Sequence, residues 1–202
     1  MKLVIATSNE GKLFEFREAL RDTDFEVVSA ADMDITDFPE ETGDTYQANA
    51  LAKAQHAANK TGLPAIGDDS GLEVDALDGA PGLRSARYGG KETSKERSAL
   101  LLSELERTPP GERQARFICS LALVTPSGEA IVFRGEAEGE ISAVPHGKAG
   151  FGYDPVFFSH DLYTTFAEAT LEQKQPVSHR GRAIAAFLDW LESEESENFF
   201  KE

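Results

Sequence analysis

The stretch KLVIATSNEGKLFEFREALRD, residues 2–22, sets the fold class. KLVIAT is a continuous apolar run that reads as a strand. After the polar turn, Leu13, Phe16 and Leu20 recur at helical spacing, with Ser8 as a candidate cap. Strand, turn and helix in this order open an α/β fold. Working outward, FEVVSA (25–30) reads as a second strand. Asp44 and Gln47 give a capping-box-like start to a long Ala-rich helix that ends near Thr61 at the stop Gly62, with Tyr46, Ala50 and Ala57 inward. PAIG (64–67) and LEVDAL (72–77) read as short strands on either side of an acidic turn, and DGAPGLRSARYGG (78–90) as an irregular Gly- and Pro-rich loop.

A helix is expected from Ser94 to about Thr108. ARFICSLALVT (115–125) and AIVFRGEAEGEI (130–141), joined by PSGE, read as a hairpin, so the sheet is expected to be mixed. A second Gly-rich loop, PHGKAGFGYDP (145–155), leads to a last helix that starts at Ser178 and carries Ile184, Phe187, Leu188 and Leu191 on one face. No repeat or linker interrupts the chain. It is therefore read as a single domain, 1–202, with a short solvated acidic tail at 192–202.

With 40% hydrophobic and 28% charged residues, the composition is that of an ordinary globular protein. No apolar run approaches the length of a membrane span, and the apolar run at the N-terminus is too short for a signal peptide. A cytoplasmic location is expected. The single Cys119 cannot form an internal disulfide and is expected to pack as a core residue. A formal net charge of −16 repels a phosphate backbone, which argues against nucleic acid as a partner but not against a small anion held by local cations or a metal.

Four segments can carry chemistry. The turn TSNEGK offers hydroxyls and an amide at Thr7, Ser8 and Asn9, a close backbone approach at Gly11, and a positive charge at Lys12, the makings of a phosphate site. It is not a Walker loop, since Ala6 and Leu13 stand where that motif needs Gly and Ser or Thr. The acidic clusters PEETGD (Glu40, Glu41, Asp44) and GDDSG (Asp68, Asp69) supply hard oxygens suited to magnesium, or are two solvated turns. Lys174, His179 and Arg180 gather donors at the start of the last helix, where cations oppose the helix dipole unless an acceptor offsets them. GFGYDP (150–155) can present ring faces to a planar base, or is a packed turn. Arg84 and Arg87 are read as structural. Each segment alone also has an ordinary structural explanation.

Together and in this order, TSNEGK, EETG, DDSGLEVDALDGAPGLRSARY, GFGYDPVFF and SHRGRA resemble the inosine triphosphate pyrophosphatase family over the whole chain. The resemblance implies a long curved mixed sheet flanked by helices, in two lobes with a nucleotide cleft between them, and a homodimer. It implies hydrolysis of dITP, ITP and XTP to monophosphate and pyrophosphate, with Mg2+ as cofactor. Thr7, Ser8, Asn9, Glu10, Gly11 and Lys12 would hold the triphosphate. Glu40 and Asp69 would hold magnesium, Asp69 also being the general base, and Ser70 would touch substrate. Phe151, Gly152, Tyr153 and Asp154, with Lys174, His179 and Arg180, would line the base and sugar pocket. Arg180, a pure donor, suits the 6-oxo group of hypoxanthine or xanthine and opposes the 6-amino group of adenine. Two positions depart from the family pattern, Gly67 for a usual Ala and Ala149 for a common Gly. A broader nucleotide pyrophosphatase and a non-catalytic nucleotide sensor are the competing readings.

Overall fold

The computed structural model describes residues 1–200. Lys201 and Glu202, the end of the expected tail, lie outside the described residues. The chain opens with β1 (Lys2–Ala6), α1 (Glu10–Ala19), β2 (Glu26–Ser29) and α2 (Tyr46–Thr61). It continues through β3 (Ala65–Val74), α3 (Ser94–Glu104), β4 (Gln114–Val124) and β5 (Ala130–Ile141). Short strands β6 (Phe157–Ser159) and β7 (Thr164–Thr165) precede α4 (Leu171–Lys174), α5 (His179–Leu191) and α6 (Glu194–Phe199).

The strands form one open seven-stranded sheet in the order β2-β1-β3-β4-β5-β6-β7. β1 pairs in parallel with β2 and β3, whereas β6 pairs antiparallel with β5 and β7, so the sheet is mixed as its sequence pattern predicts. The chain divides into two compact units, residues 1–69, 119–135 and 180–202 in the first, 70–118 and 136–179 in the second.

The first unit has a core on each face of its strands. Leu3, Ile5, Ile66, Cys119, Leu121 and Leu123 point to one side, against Leu13 and Phe16 of α1 and Ile184 and Phe187 of α5. Val4, Ala6, Ala65, Ala122 and Val124 alternate to the other side, against Ala50, Ala54, Ala57 and Ala58 of α2. This is the period-2 alternation of strands covered on both faces. The second unit packs Leu72, Val74, Leu101, Phe117, Phe157 and Phe166 around its own core.

Several local expectations are corrected. The acidic turn at 67–71 does not exist: β3 runs unbroken through it, because each aspartate finds its own cation and the backbone keeps its ladder. Asn9, not Ser8, caps α1, its Oδ1 accepting from the Lys12 amide at 3.1 Å. Thr45, not Asp44, caps α2 through the Ala48 amide. Helix α3 ends at Glu104, before the expected Thr108. The loop at 78–90 contains 3-10 turns over Gly82–Gly90, leaving helical geometry at Arg87, Tyr88 and Gly89.

The tail is not merely solvated. It forms α6, and Phe199 meets the Trp190 ring edge-on at 5.1 Å between centroids, with Phe200 6.1 Å from Phe25. Sequence acidity hid this pair of aromatics.

Gly67 has a steric reason. A Cβ there would run into the Ala50 carbonyl and lie 2.8 Å from the Ala54 amide, so α2 lies closer to β3 than any side chain at 67 permits. Gly67→Ala is expected to lower stability by about 1–3 kcal/mol, the usual range for overpacking, in urea unfolding. Phe199→Ala, removing a half-buried ring, is expected to lose about 1–2 kcal/mol and to shift the emission of the sole tryptophan, Trp190, to the red.

Candidate functional site

In the first unit the turn after β1 is held by its own side chains. Thr7 Oγ1 accepts from the Asn9 amide at 3.1 Å, and the Asn9 cap starts α1, which places Lys12 in the first helical turn. Ser8, Asn9 and Glu10 are exposed, and Thr7, Gly11 and Lys12 half-buried. The polar groups expected for phosphate thus sit together at a helix N-terminus.

Asp68 and Asp69 follow each other on β3 and so point to opposite faces. Asp68 turns toward α1 and α5. Its carboxylate accepts from Lys12 Nζ, from Arg180 Nε at 2.6 Å and from the Cys119 thiol at 3.3 Å. Arg180 NH1 in turn donates to Glu15 Oε2 at 2.6 Å, and its side chain is 1% exposed. Two cations and two carboxylates make a balanced buried chain, Lys12–Asp68–Arg180–Glu15. Burial alone would raise the Asp68 pKa, but Arg180 and then Lys12 outweigh it and hold the group well below the usual carboxylate range.

Asp69 turns toward α2. Asn49 Nδ2 donates to its Oδ2 at 3.0 Å, and Lys53 Nζ donates to its Oδ1 at 3.1 Å and to Glu41 Oε1 at 2.5 Å. Asn49 and Lys53 are one helical turn apart and share the face of Ala50 and Ala54, which Gly67 lets approach. Here burial prevails over Lys53 and Asn49, and the Asp69 pKa is raised, a direction suited to accepting a proton near neutrality. Glu40 is exposed, while its neighbour Glu41 is the residue joined through Lys53 to Asp69.

The second unit carries the remaining expected residues. Ser70, the next position on β3, is half-buried. Asp154 is 3% exposed and its Oδ2 accepts from the Phe151 amide at 2.9 Å and from Lys174 Nζ at 2.8 Å. Lys174 also lies over the rings of Phe151 and Phe166 at 5.1 and 5.3 Å, a cation enclosed by one carboxylate and two π faces. Gly150 has φ +73°, and a Cβ there would collide with the Asp154 carboxylate. Tyr153 is buried and donates its hydroxyl to the Ser85 carbonyl at 3.0 Å, which ties it to the core, while Gly152 beside it is half-buried. His179 stacks on Phe117, 4.6 Å between centroids and 10° between planes.

Sequence reading passed over Glu15, Asn49, Lys53 and Phe117; Cys119 packs in the core as expected, but its thiol also donates to Asp68. Asn49 and Lys53 did leave a signal, two polar residues on the inward Ala face of an amphipathic helix. Glu15 left none, because its partner is 165 positions away.

Asp68→Asn is expected to cost about 3–5 kcal/mol, since it removes the shared counter-charge of Lys12 and Arg180 in a buried site and leaves two cations to the single carboxylate of Glu15. A depressed folded pKa makes the stabilisation complete above the unfolded value of about 4, to be lost as pH falls through the folded value. The wild-type protein should therefore lose stability steeply on acidification below about pH 4, and the variant less steeply, in denaturant titrations across that range.

Residues 3–190 match the model of the Ham1 family. The chain is 52% identical to the dITP/XTP pyrophosphatase of Geobacter sulfurreducens over 94% of its length and 96% of that protein's. It superposes on a HAM1 protein from Coxiella burnetii with a TM-score of 0.85 at 41% identity, covering 95% of this chain and 98% of the other. A nucleoside-triphosphatase, dITP/XTP pyrophosphatase from Mycobacterium abscessus gives 0.74 at 44% identity, covering 93% and 99%. The chain that puts Lys12 and Asp69 in these places belongs to the Ham1 family.

Proposed function

We propose that this chain hydrolyses the deaminated purine nucleoside triphosphates dITP, ITP and XTP to the nucleoside monophosphate and pyrophosphate, and so cleanses the nucleotide pool. The observation that carries the reading is the division of labour on β3. Asp68 fixes the lysine of a phosphate-binding turn, and Asp69 offers a buried acid with a raised pKa.

In this reading Thr7, Ser8, Asn9, Glu10, Gly11 and Lys12 hold the triphosphate through hydroxyls, main-chain amides and one ammonium. Asp69 accepts a proton from the water that attacks the α-phosphorus. The bond from the α-phosphorus to its bridging oxygen breaks, and pyrophosphate leaves with the electron pair. Lys12 faces the charge that develops on the departing group.

The cofactor is magnesium. The donor set fits a hard divalent cation, since Asp69, Glu41 and the Asp68 carbonyl already converge on one positive group, the Lys53 ammonium. Asp69 and Glu41 would hold the ion, with Glu40 exposed beside them. No group of three His, Cys, Asp or Glu side chains is gathered for a metal among the described residues, which suits an ion completed by water and phosphate oxygens. When bound it neutralises charge on the phosphates.

Phe151, Gly152, Tyr153 and Asp154, with Ser70, Lys174, His179 and Arg180, are assigned to the nucleoside. Lys174 and Arg180 present donors only, which favours a 6-oxo purine over the 6-amino group of adenine. Arg180 donates to Asp68 and Glu15 and Lys174 donates to Asp154, so a nucleoside would share these donors with resident carboxylates. A homodimer is part of the proposal, resting on the family resemblance, and sedimentation would test it. So is a cytoplasmic location. No helix among the described residues is long and apolar enough to cross a membrane.

Incubation with magnesium and ITP, XTP, GTP or ATP separately, with products resolved by chromatography, tests the reading. Monophosphate and pyrophosphate are expected from ITP and XTP and little from GTP or ATP. Asp69→Asn, which stays neutral and cannot accept a proton, should lower the rate by about 10²–10⁴-fold, the usual share of a general base. Diphosphate products, or equal rates on all four nucleotides, would point to a broader phosphohydrolase; binding without turnover would point to a sensor.

A further inference from the structure

Lys53 is 9% exposed, and its ammonium has three N–H donors. All three are matched, by Glu41 Oε1 at 2.5 Å, Asp69 Oδ1 at 3.1 Å and the Asp68 carbonyl at 3.2 Å. The other oxygen of Asp69 is taken by Asn49 at 3.0 Å. Both Asp69 oxygens are therefore occupied by donors from α2, and the close packing at Gly67 is what brings that helix within reach.

The three acceptors of Lys53 are the oxygens a hard divalent cation would use. An ammonium and a metal ion cannot both take the same carboxylate oxygen at bonding distance, because the two positive charges would repel across a partly buried site of low dielectric. We propose that Lys53 is a resident competitor of the divalent cation: its ammonium holds Glu41 and Asp69 together in the nucleotide-free protein, and a cation binds there only by displacing it. The inference rests on the reading that Asp69 holds a divalent cation.

Displacement sets the order of events. An ammonium released from two carboxylates needs another anion, and the triphosphate is one. Cation and nucleotide then assist each other's binding, because the nucleotide receives the lysine that the cation evicts. The empty enzyme, meanwhile, keeps its two acids paired and avoids the cost of like charges facing one another.

The test is Mn2+ binding to nucleotide-free protein, followed by loss of the free-ion paramagnetic resonance signal. Lys53→Met is expected to bind Mn2+ about tenfold more tightly than wild type, within the usual span of coupling between two ligands. Lys53→Arg, which keeps the charge, should stay within about threefold of wild type. Unchanged or weaker binding by a Lys53→Met protein with native circular dichroism overturns the inference. A second measurement uses the wild type alone. The 13Cε resonance of Lys53, identified by its loss in Lys53→Met, should move as Mg2+ saturates the protein; an unmoved resonance at saturation also overturns the inference. If neither protein binds Mn2+, with or without a non-hydrolysable nucleotide analogue, the metal reading itself fails and the inference with it.

Discussion

Two consecutive residues on a β-strand cannot face the same way, and the site depends on that constraint. Had Asp68 and Asp69 stood in a turn, their carboxylates would compete for the same cations and one would resist ionisation. On β3 they part to opposite faces, Asp68 to Lys12 and Arg180, Asp69 to Lys53 and Asn49. One becomes a permanent structural anion with a depressed pKa, the other a buried acid with a raised one. The same pair of residue types thus acquires two roles from the pleat of the strand.

The helices are placed to serve this split. α1 brings Lys12 and Glu15 to one face, and α5 brings Arg180 to the same face. α2 brings Asn49 and Lys53 to the other, over the bare backbone of Gly67. A buried ion network of this kind contributes little net stability when compared with a well-packed apolar core, but it is costly to break at any single member. Its strength lies in fixing geometry. Lys12 is held beside the turn after β1 by Asp68.

Much of this was legible in the sequence. The α/β class followed from the first 22 residues, because a buried parallel strand and an amphipathic helix have different periods and each was long enough to show its own. The mixed sheet followed from the hairpin at 115–141. The ordered blocks pointed to the right family although each block alone was ambiguous. The fine geometry was not legible, for identifiable reasons. GDDSG has the composition of a turn, and only its long-range partners reveal a strand. The Glu15–Arg180 pair joins residues 165 apart, beyond any periodicity. Phe199 and Phe200 sit in an acidic segment whose charge masked two anchors. Tyr153 is read for its ring face, and the bond of its hydroxyl to the Ser85 carbonyl, 68 positions away, leaves no local signal.

The first compact unit is assembled from three separated stretches, and the last of them begins at Arg180. During synthesis, Lys12 and Asp68 leave the ribosome early, and Lys12 alone can answer the Asp68 charge. Glu15 must wait for its guanidinium until Arg180, 165 positions later, has been made, as must the core that Ile184 and Phe187 complete. A chain without residue 180 therefore holds the turn after β1 and Asp68 without the arginine that joins Asp68 to Glu15. The ion network closes only when α5 meets α1 and β3, a union of distant parts of the sequence that carries a large loop-closure cost in entropy.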